Sequence, residues 1–562
     1  MTTPDEPTRR AAIALGAATA AASAQAPPAA GYWRITPDMI ATHDSNADDL
    51  LKRQTVDKSS LWAGGIADQY GLHNGGSTAG LIVYLATCLT HPDSRHHASA
   101  LAKERLKLAL GYLDRHLTPD GNLNLLVTNF NSPPDSAFAM YSLCPAVNLA
   151  RQMRKPELEK MVAPVLVRMA NAIARGGVHT PNHRWVMCAA LAQAHALFPT
   201  PAWLKRIDDW LAEGIDIDAD GQYSERSTIG YNAVVDRALV VTAMKLGRPQ
   251  LLGPVRRNLE ALLYLLHPGY EVVTEISKRQ DQYTRGSVGG FWMPLRALAL
   301  KDGNGAYETL ARLTGPSVWE LMEYPELASP GPEPKPVPTD YEKQFPAVGI
   351  ARIRRGQTSA TMMLGGGTSR LLSLRRGQAI VNAVRFSSAF FGKGQFVPSK
   401  AERSEAGYVW TQTIDAGYYQ PFADGTQQPV GVDEWYRMRE KRRRTEVCQV
   451  DYRAEFTETA AGFRLRLTAA GTAELPVAVE ISLAGEGELT GCEPAPDVQG
   501  GFLVPTGKEA VWQVGQDVVR FGPGRADHRY TQVRGAEPKL AGRSVYLTGF
   551  APFDHSIDFR WA

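Results

Sequence analysis

"ASPGPEPKPVPTD", residues 328–340, divides a 562-residue polypeptide into two parts with different hydrophobic periods. Five of its thirteen positions are proline, so neither a helix nor a central strand can run through it, and it reads as a structureless linker. Upstream, "STAGLIVYLATCL" (77–89), "ALAKERLKLALGYLDRHL" (100–117), "ELEKMVAPVLVRMANAIAR" (157–175) and "NAVVDRALVVTAMKLG" (232–247) repeat apolar residues at i, i+3, i+4 and i+7, the period of an amphipathic helix. Downstream the period falls to two. "GIARIRRG", "SATMMLGG", "RLLSLRRG", "AIVNAVRFS", "FRLRLTAAG" and "SVYLTGF" are short strands set off by glycine turns, and without helices between them they pair antiparallel.

The pattern predicts a multidomain α+β protein, with ten or more helices before an antiparallel β-sandwich or β-sheet part. Paired helices in that number, without a strict repeat length, fit an α/α toroid better than a solenoid. The expected layout is an export signal over 1–26, a toroid over 27–327, the linker, and β domains over 341–562. In a ring of paired helices the polar loops gather on one face, where chemistry belongs.

The signal reading rests on "TRRAAIALGAATAAASAQA" (8–26), with Arg9 and Arg10, a mild Ala-rich run, and the small-residue pattern Ala24-Gln25-Ala26. The twin arginine favours export of a folded protein to the periplasm or beyond. No later stretch is apolar and long enough to span a bilayer. A net charge of +3 gives no bulk affinity for nucleic acid. The five cysteines are scattered without a CxxC, which predicts thiols rather than a disulfide framework.

"GGVHTPNHRW" (176–185) is the densest polar stretch of the helical half. Thr180 suits an N-cap and Pro181 the first helical position, so a helix starts near 181. His183 falls in its first turn and His179 before it, off a common helical face. With Thr180, Pro181 and Asn182 between the two histidines, the HExxH glutamate is absent, and zinc is not expected. A histidine at a helix N-terminus is biased toward its neutral form. Arg184 follows directly.

"IDIDADGQYSERSTIGYNAVVDRAL" (215–239) begins like a calcium loop at Asp216, Asp218, Asp220 and Gly221. Ser227, however, stands where a bidentate glutamate is needed, so an Asp-Gly turn is expected instead. Glu225, Arg226 and Tyr231 then precede the helix that begins near Asn232, a set suited to a polar, anionic substrate. "GLHNGGSTAG" (71–80) adds His73 and Asn74. "TNFNSPPDSAF" (128–138) adds Asn129, Asn131 and Asp135, and "SKRQDQYTRGS" (277–287) adds Lys278, Arg279, Tyr283 and Arg285.

This layout resembles the heparinase II/III-like polysaccharide lyases, and "GVHTPNHRW" with "DGQYSERSTIGYN" is most similar to the L-rhamnose-α-1,4-D-glucuronate lyases. The likeness spans roughly residues 60–400. It implies cleavage of a glycosidic bond next to a uronic acid by β-elimination, without a cofactor, on an acidic polysaccharide or oligosaccharide. Neutralising the uronate carboxylate acidifies the C5 proton, a base removes it, and an acid protonates the leaving oxygen. Carried over, His183 would be base or carboxylate partner, Tyr231 base or acid, and Asn129 or Asn131 the neutralising amide. Arg226 or Arg184 would be the charge partner. His73, Asn74, His179, Glu225, Arg279 and Tyr283 would line the substrate. The chain departs from the wider superfamily in lacking an Asn-His-Gly element at the neutralising position.

Two other functions fit the same loops. An inverting glycoside hydrolase needs an acid and a base carboxylate, for which Asp135 and Glu225 are the available pair. A non-catalytic glycan-binding protein needs only the polar loops. Finally, "WYRMREKRRR" (435–444) is the densest positive run, either a solvated hairpin or a surface that attracts an acidic glycan.

Overall fold

The computed structural model describes residues 33–423 and 431–561. The expected export signal lies outside the described residues. The chain forms two compact units: one runs to Leu266 and resumes over Tyr270–Val337, the other joins His267–Gly269 to the chain from Pro338 onward.

The first unit holds twelve α-helices among its described residues: α1 (Pro37–Arg53), α2 (Gly75–Thr90), α3 (Ala100–His116), α4 (Pro133–Gln152), α5 (Pro156–Arg175), α6 (Pro181–Leu197), α7 (Pro201–Leu211), α8 (Tyr231–Leu246), α9 (Leu252–Leu262), α10 (Trp292–Asp302), α11 (Gly305–Arg312) and α12 (Val318–Glu323). Helices α2, α4, α6, α8 and α10 pack successively on one another, with the intervening helices returning outside them. The two sets differ in burial as their sequences require. In α6 every residue from Trp185 to Ala194 is buried, whereas α7 buries only Trp203 and Ile207. Helices that follow each other through a return run antiparallel, so the inner ones run the same way and their N-termini share one end. This is the α/α toroid.

A short 3-10 helix ends at Ala328 and residues 329–339 have no regular structure, yet they are not a free linker. Buried Arg296 donates to the carbonyls of Leu327 (2.8 Å) and Ser329, Lys335 N–H donates to Gly305 O (3.0 Å), and Val337 is buried. Both carbonyls lie at the end of the 3-10 helix Pro325–Ala328, and the guanidinium has donors enough to satisfy them.

The second unit is a β-sandwich. One sheet meanders through Asp340–Phe345, Ile350–Arg355, Thr358–Met363, Leu372–Arg376 and Ala379–Ser388, then continues through Pro476–Ala484, Arg543–Phe550, Gly501–Leu503 and Glu493–Pro494. The other runs Lys400–Arg403, Gly407–Tyr419, Arg444–Thr459, Gly462–Gly471, Phe553–Arg560, Asp517–Gly522, Ala510–Val514 and Glu488–Thr490. Both inner faces supply one core, in which Phe386, Val479 and Leu547 meet Trp410, Phe456 and Phe559. Among the described strands the antiparallel expectation has one exception: Gly501–Leu503 runs parallel to Arg543–Phe550, which the long connection between them allows.

All five cysteines are free thiols, with Cys88, Cys144 and Cys188 buried. Among the described residues no helix is long and apolar enough to cross a membrane.

Candidate active site

The inner helices of the toroid begin at the loops that the sequence marks as polar. α6 starts with Pro181 after Thr180, whose backbone is extended as an N-cap should be. The Thr180 hydroxyl, however, makes no capping bond to the helix. Glu225, from the loop before α8, does that work. Its Oε1 accepts the Asn182 backbone N–H at 3.0 Å and the Asn182 side-chain amide as well. A carboxylate at a helix N-terminus also meets the positive end of the macrodipole.

The remaining Glu225 oxygen, Oε2, stands 3.6 Å from Arg279 Nε, an ion pair without a hydrogen bond. The Arg279 guanidinium lies 5.1 Å from the centre of the Tyr231 ring, at the first residue of α8. His183 is buried one turn into α6. Its ring meets His179 edge-on at 4.7 Å and Phe138 of α4 edge-on at 6.2 Å. The two histidines are therefore neighbours although they share no helical face, because the extended Thr180 turns His179 back over the helix start. Asn182, His183, Glu225, Arg279 and Asp281 each leave one buried polar atom without a hydrogen-bond partner: Oδ1, Nδ1, Oε2, Nε and Oδ1 respectively. Buried polar groups are almost always satisfied, so such a concentration marks a place built to bind something polar.

The electrostatics follow from burial and Arg279. The His183 imidazole is pushed down to about 4, first by desolvation, then by the nearby His179 and the Arg279 charge. Burial is thus the largest cause of its neutral state. The Tyr231 phenol is raised by burial, against which hydrogen bonding and charge from Arg279 pull down while Glu225 pushes up.

Two loops hold these groups together. Lys278 N–H donates to Arg226 O (2.8 Å), Thr228 N–H to Ser277 Oγ (3.1 Å), and Thr228 Oγ1 to Val273 O (2.8 Å). Asp281 Oδ2 accepts from Ser277 Oγ (2.9 Å) and Ile229 N–H (3.3 Å). Beneath them Tyr223 OH donates to fully buried Asp236 at 2.6 Å. Arg226 and Tyr283 both take left-handed backbone, at φ 45° and 58°, in these loops.

The structure thus brings together His179, His183, Glu225, Tyr231 and Arg279, and it separates others. Arg184 does not join them. It pairs with Glu213 and Asp216 at 2.9 Å each and lies over Trp185, fastening the 213–216 turn to α6. Arg226 faces Asp218 at 3.6 Å. Asn131, exposed and left-handed, bonds Thr118, Asn122 and Asp120. Asn74 caps α2 through Ser77 N–H, and His73 stacks on Trp62 while bonding Thr55 at 2.8 Å. Asn129 donates to Asp135 at 2.9 Å beside the start of α4. The Asp216–Gly221 stretch is a turn, as expected: Asp218 Oδ1 accepts the N–H groups of Asp220 and Gln222. Asn182 and Asp281 were not singled out in the sequence, although both lie inside stretches rich in polar loop residues. Among the described residues no three His, Cys, Asp or Glu side chains gather as a metal-ligand set.

No protein-family model matches the chain, and no curated protein matches it. Solved structures do. The chain is similar to the chondroitin AC lyase of Streptomyces coelicolor A3, crystallised with chondroitin sulphate, at 13% identity and TM-score 0.52 over 93% of this chain and 79% of that one. It is similar to a mutant heparan sulfate lyase from Pedobacter heparinus at 12% identity and TM-score 0.52, over 92% and 83%. A Paenibacillus xanthan lyase matches at 11% identity and TM-score 0.52, over 93% of this chain and 56% of that one. At these identities what is shared is the fold: a helical toroid followed by antiparallel β-sheet.

Proposed function

We propose that this chain is an exported polysaccharide lyase that cleaves a glycosidic bond next to a uronic acid, with a rhamnose–glucuronate linkage as its substrate. The observation that carries the reading is the group of unsatisfied buried polar atoms around neutral His183, beside Arg279 and Tyr231. The likeness in fold to lyases named for chondroitin, heparan sulfate and xanthan supports it.

Each residue then has a task. A histidine with its pKa near 4 is a weak base at neutral pH, so His183 serves best as a neutral hydrogen-bonding partner of the uronate carboxylate. Arg279 supplies the positive charge there, in place of Arg226 or Arg184, and no asparagine is given the neutralising part, since Asn129 is bound to Asp135 (2.9 Å) and Asn131 to Thr118, Asn122 and Asp120. Tyr231 exchanges protons. Tyr231, as phenolate, takes the C5 proton, the C5–H electrons form the C4=C5 double bond, and the C4–O bond breaks as the leaving oxygen takes that same proton back from the Tyr231 hydroxyl. Arg279 eases this step by stabilising phenolate. Glu225 holds α6 and Arg279 in place.

The hydrolase alternative is less well served. Glu225 caps α6, and Asp135 accepts from Ser132 Oγ and Asn129, so both nominated carboxylates act in helix starts. Digestion of uronate-containing polysaccharides, followed by ultraviolet absorbance, tests the proposal. Elimination creates a conjugated double bond and consumes no water; new reducing ends without absorbance would refute it.

A further inference from the structure

The second unit carries a positive, aromatic surface that the proposed chemistry does not use. Strands Gly407–Tyr419 and Arg444–Thr459 form a long antiparallel ladder, and α13 (Glu434–Arg439) precedes the second strand. Residues 435–444 contain six cations and one carboxylate, Glu440. Some of these charges are paired, Arg439 with Glu440 and Arg444 with Asp415. Arg437, Lys441 and Arg443 are exposed and have no carboxylate partner among the described residues.

Aromatic rings lie among these charges. Trp435 and Tyr436 are exposed on α13, and Tyr418 is exposed on the neighbouring strand. The Arg442 guanidinium sits between Phe422 (4.2 Å) and Trp435 (4.4 Å), and Arg439 lies over both Tyr419 and Tyr436. Stacking of this kind holds the cations in place before any ligand arrives. α13 buries none of its residues, so these rings do not serve a core.

We infer that this face binds an acidic polysaccharide chain. Such a polymer presents carboxylate or sulfate groups to Arg437, Lys441 and Arg443, and flat C–H faces of its sugar rings to Trp435 and Tyr436. A second copy of this chain would bring like charge against like and is disfavoured. The inference rests on the lyase reading only for the class of polymer, and it gives the enzyme a holding surface for long chains.

The test uses the full chain and immobilised chondroitin sulphate as probe, with dextran and double-stranded DNA as comparison ligands. Wild type should bind the chondroitin sulphate, with affinity falling as salt rises, and should ignore dextran. The triple variant Arg437→Ser, Lys441→Ser, Arg443→Ser should weaken binding by about tenfold and flatten the salt dependence. Trp435→Ala with Tyr436→Ala should weaken it by about fivefold without changing that salt slope. All positions are exposed, so thermal melting should not move. Binding is read without turnover, so an inactive protein would leave this test standing. Wild-type affinity in the triple variant would overturn the inference. So would DNA binding as tight as chondroitin sulphate binding with no effect of the aromatic pair, which would mark a general polyanion patch.

Discussion

Glu225 caps the helix that carries His183 by accepting the Asn182 N–H at 3.0 Å, across 43 residues of sequence. One carboxylate therefore fixes the start of α6 and faces Arg279 with its other oxygen. Losing an N-cap costs about 1 kcal/mol. Glu225→Ala should lower thermal stability by about that much and reduce turnover as well. Glu225→Gln keeps an acceptor for Asn182 and should restore most of the stability without restoring turnover. Equal stability in Ala and wild type would remove the cap from the account.

His183 links acidity to stability. Its pKa in the fold, about 4, lies below the ordinary histidine value of 6.5. Between those values the unfolded chain binds more protons than the folded one. The stability contributed by neutral His183 is full above pH 6.5 and declines as pH falls toward 4, by about 3 kcal/mol in all. Urea unfolding from pH 7 to 4 should show a shallower loss for His183→Gln than for wild type. Parallel curves would mean that His183 titrates normally.

Arg279 lowers the phenol pKa of Tyr231, which burial raises. Arg279→Gln should therefore move the rise of activity with pH to higher pH. It should also raise KM about tenfold or more, the scale of one charge-assisted hydrogen bond. An unchanged pH profile would show that Arg279 does not act on Tyr231.

The calcium-like stretch should need no calcium. Asp216 accepts from Arg184, Trp185 and Ser224, and Asp218 holds its own turn. Dialysis against a chelator should leave both melting temperature and activity unchanged. Loss that calcium or zinc restores would overturn this.

Much of this was legible in sequence, because some signals are local. Thr180-Pro181 marked the start of α6, and the change of period across 328–340 marked the passage from helices to strands. Left-out parts depend on partners far along the chain. Nothing near Thr180 reveals that Glu225 provides the cap, or that Arg184 turns toward Glu213 and Asp216. Asn74 and Asn131 look like ligand-binding amides in a loop, yet asparagine is equally suited to caps and left-handed turns, and there the fold uses it. The helix start at Pro181 points to a neutral His183, but the burial that is the largest cause of its lowered pKa has no local signature in the sequence.

Tyr231 transfers the proton in the proposed elimination, and removal of one oxygen atom tests this. Turnover of Tyr231→Phe is followed by the ultraviolet absorbance of the unsaturated product, on a uronate polysaccharide that the wild type cleaves. The ring stays in place under Arg279, so folding and glycan binding should be retained. Turnover should fall by about 10²- to 10⁴-fold, the contribution of one general acid–base group. Near-normal turnover in this variant would make Tyr231 a packing residue and contradict the mechanism.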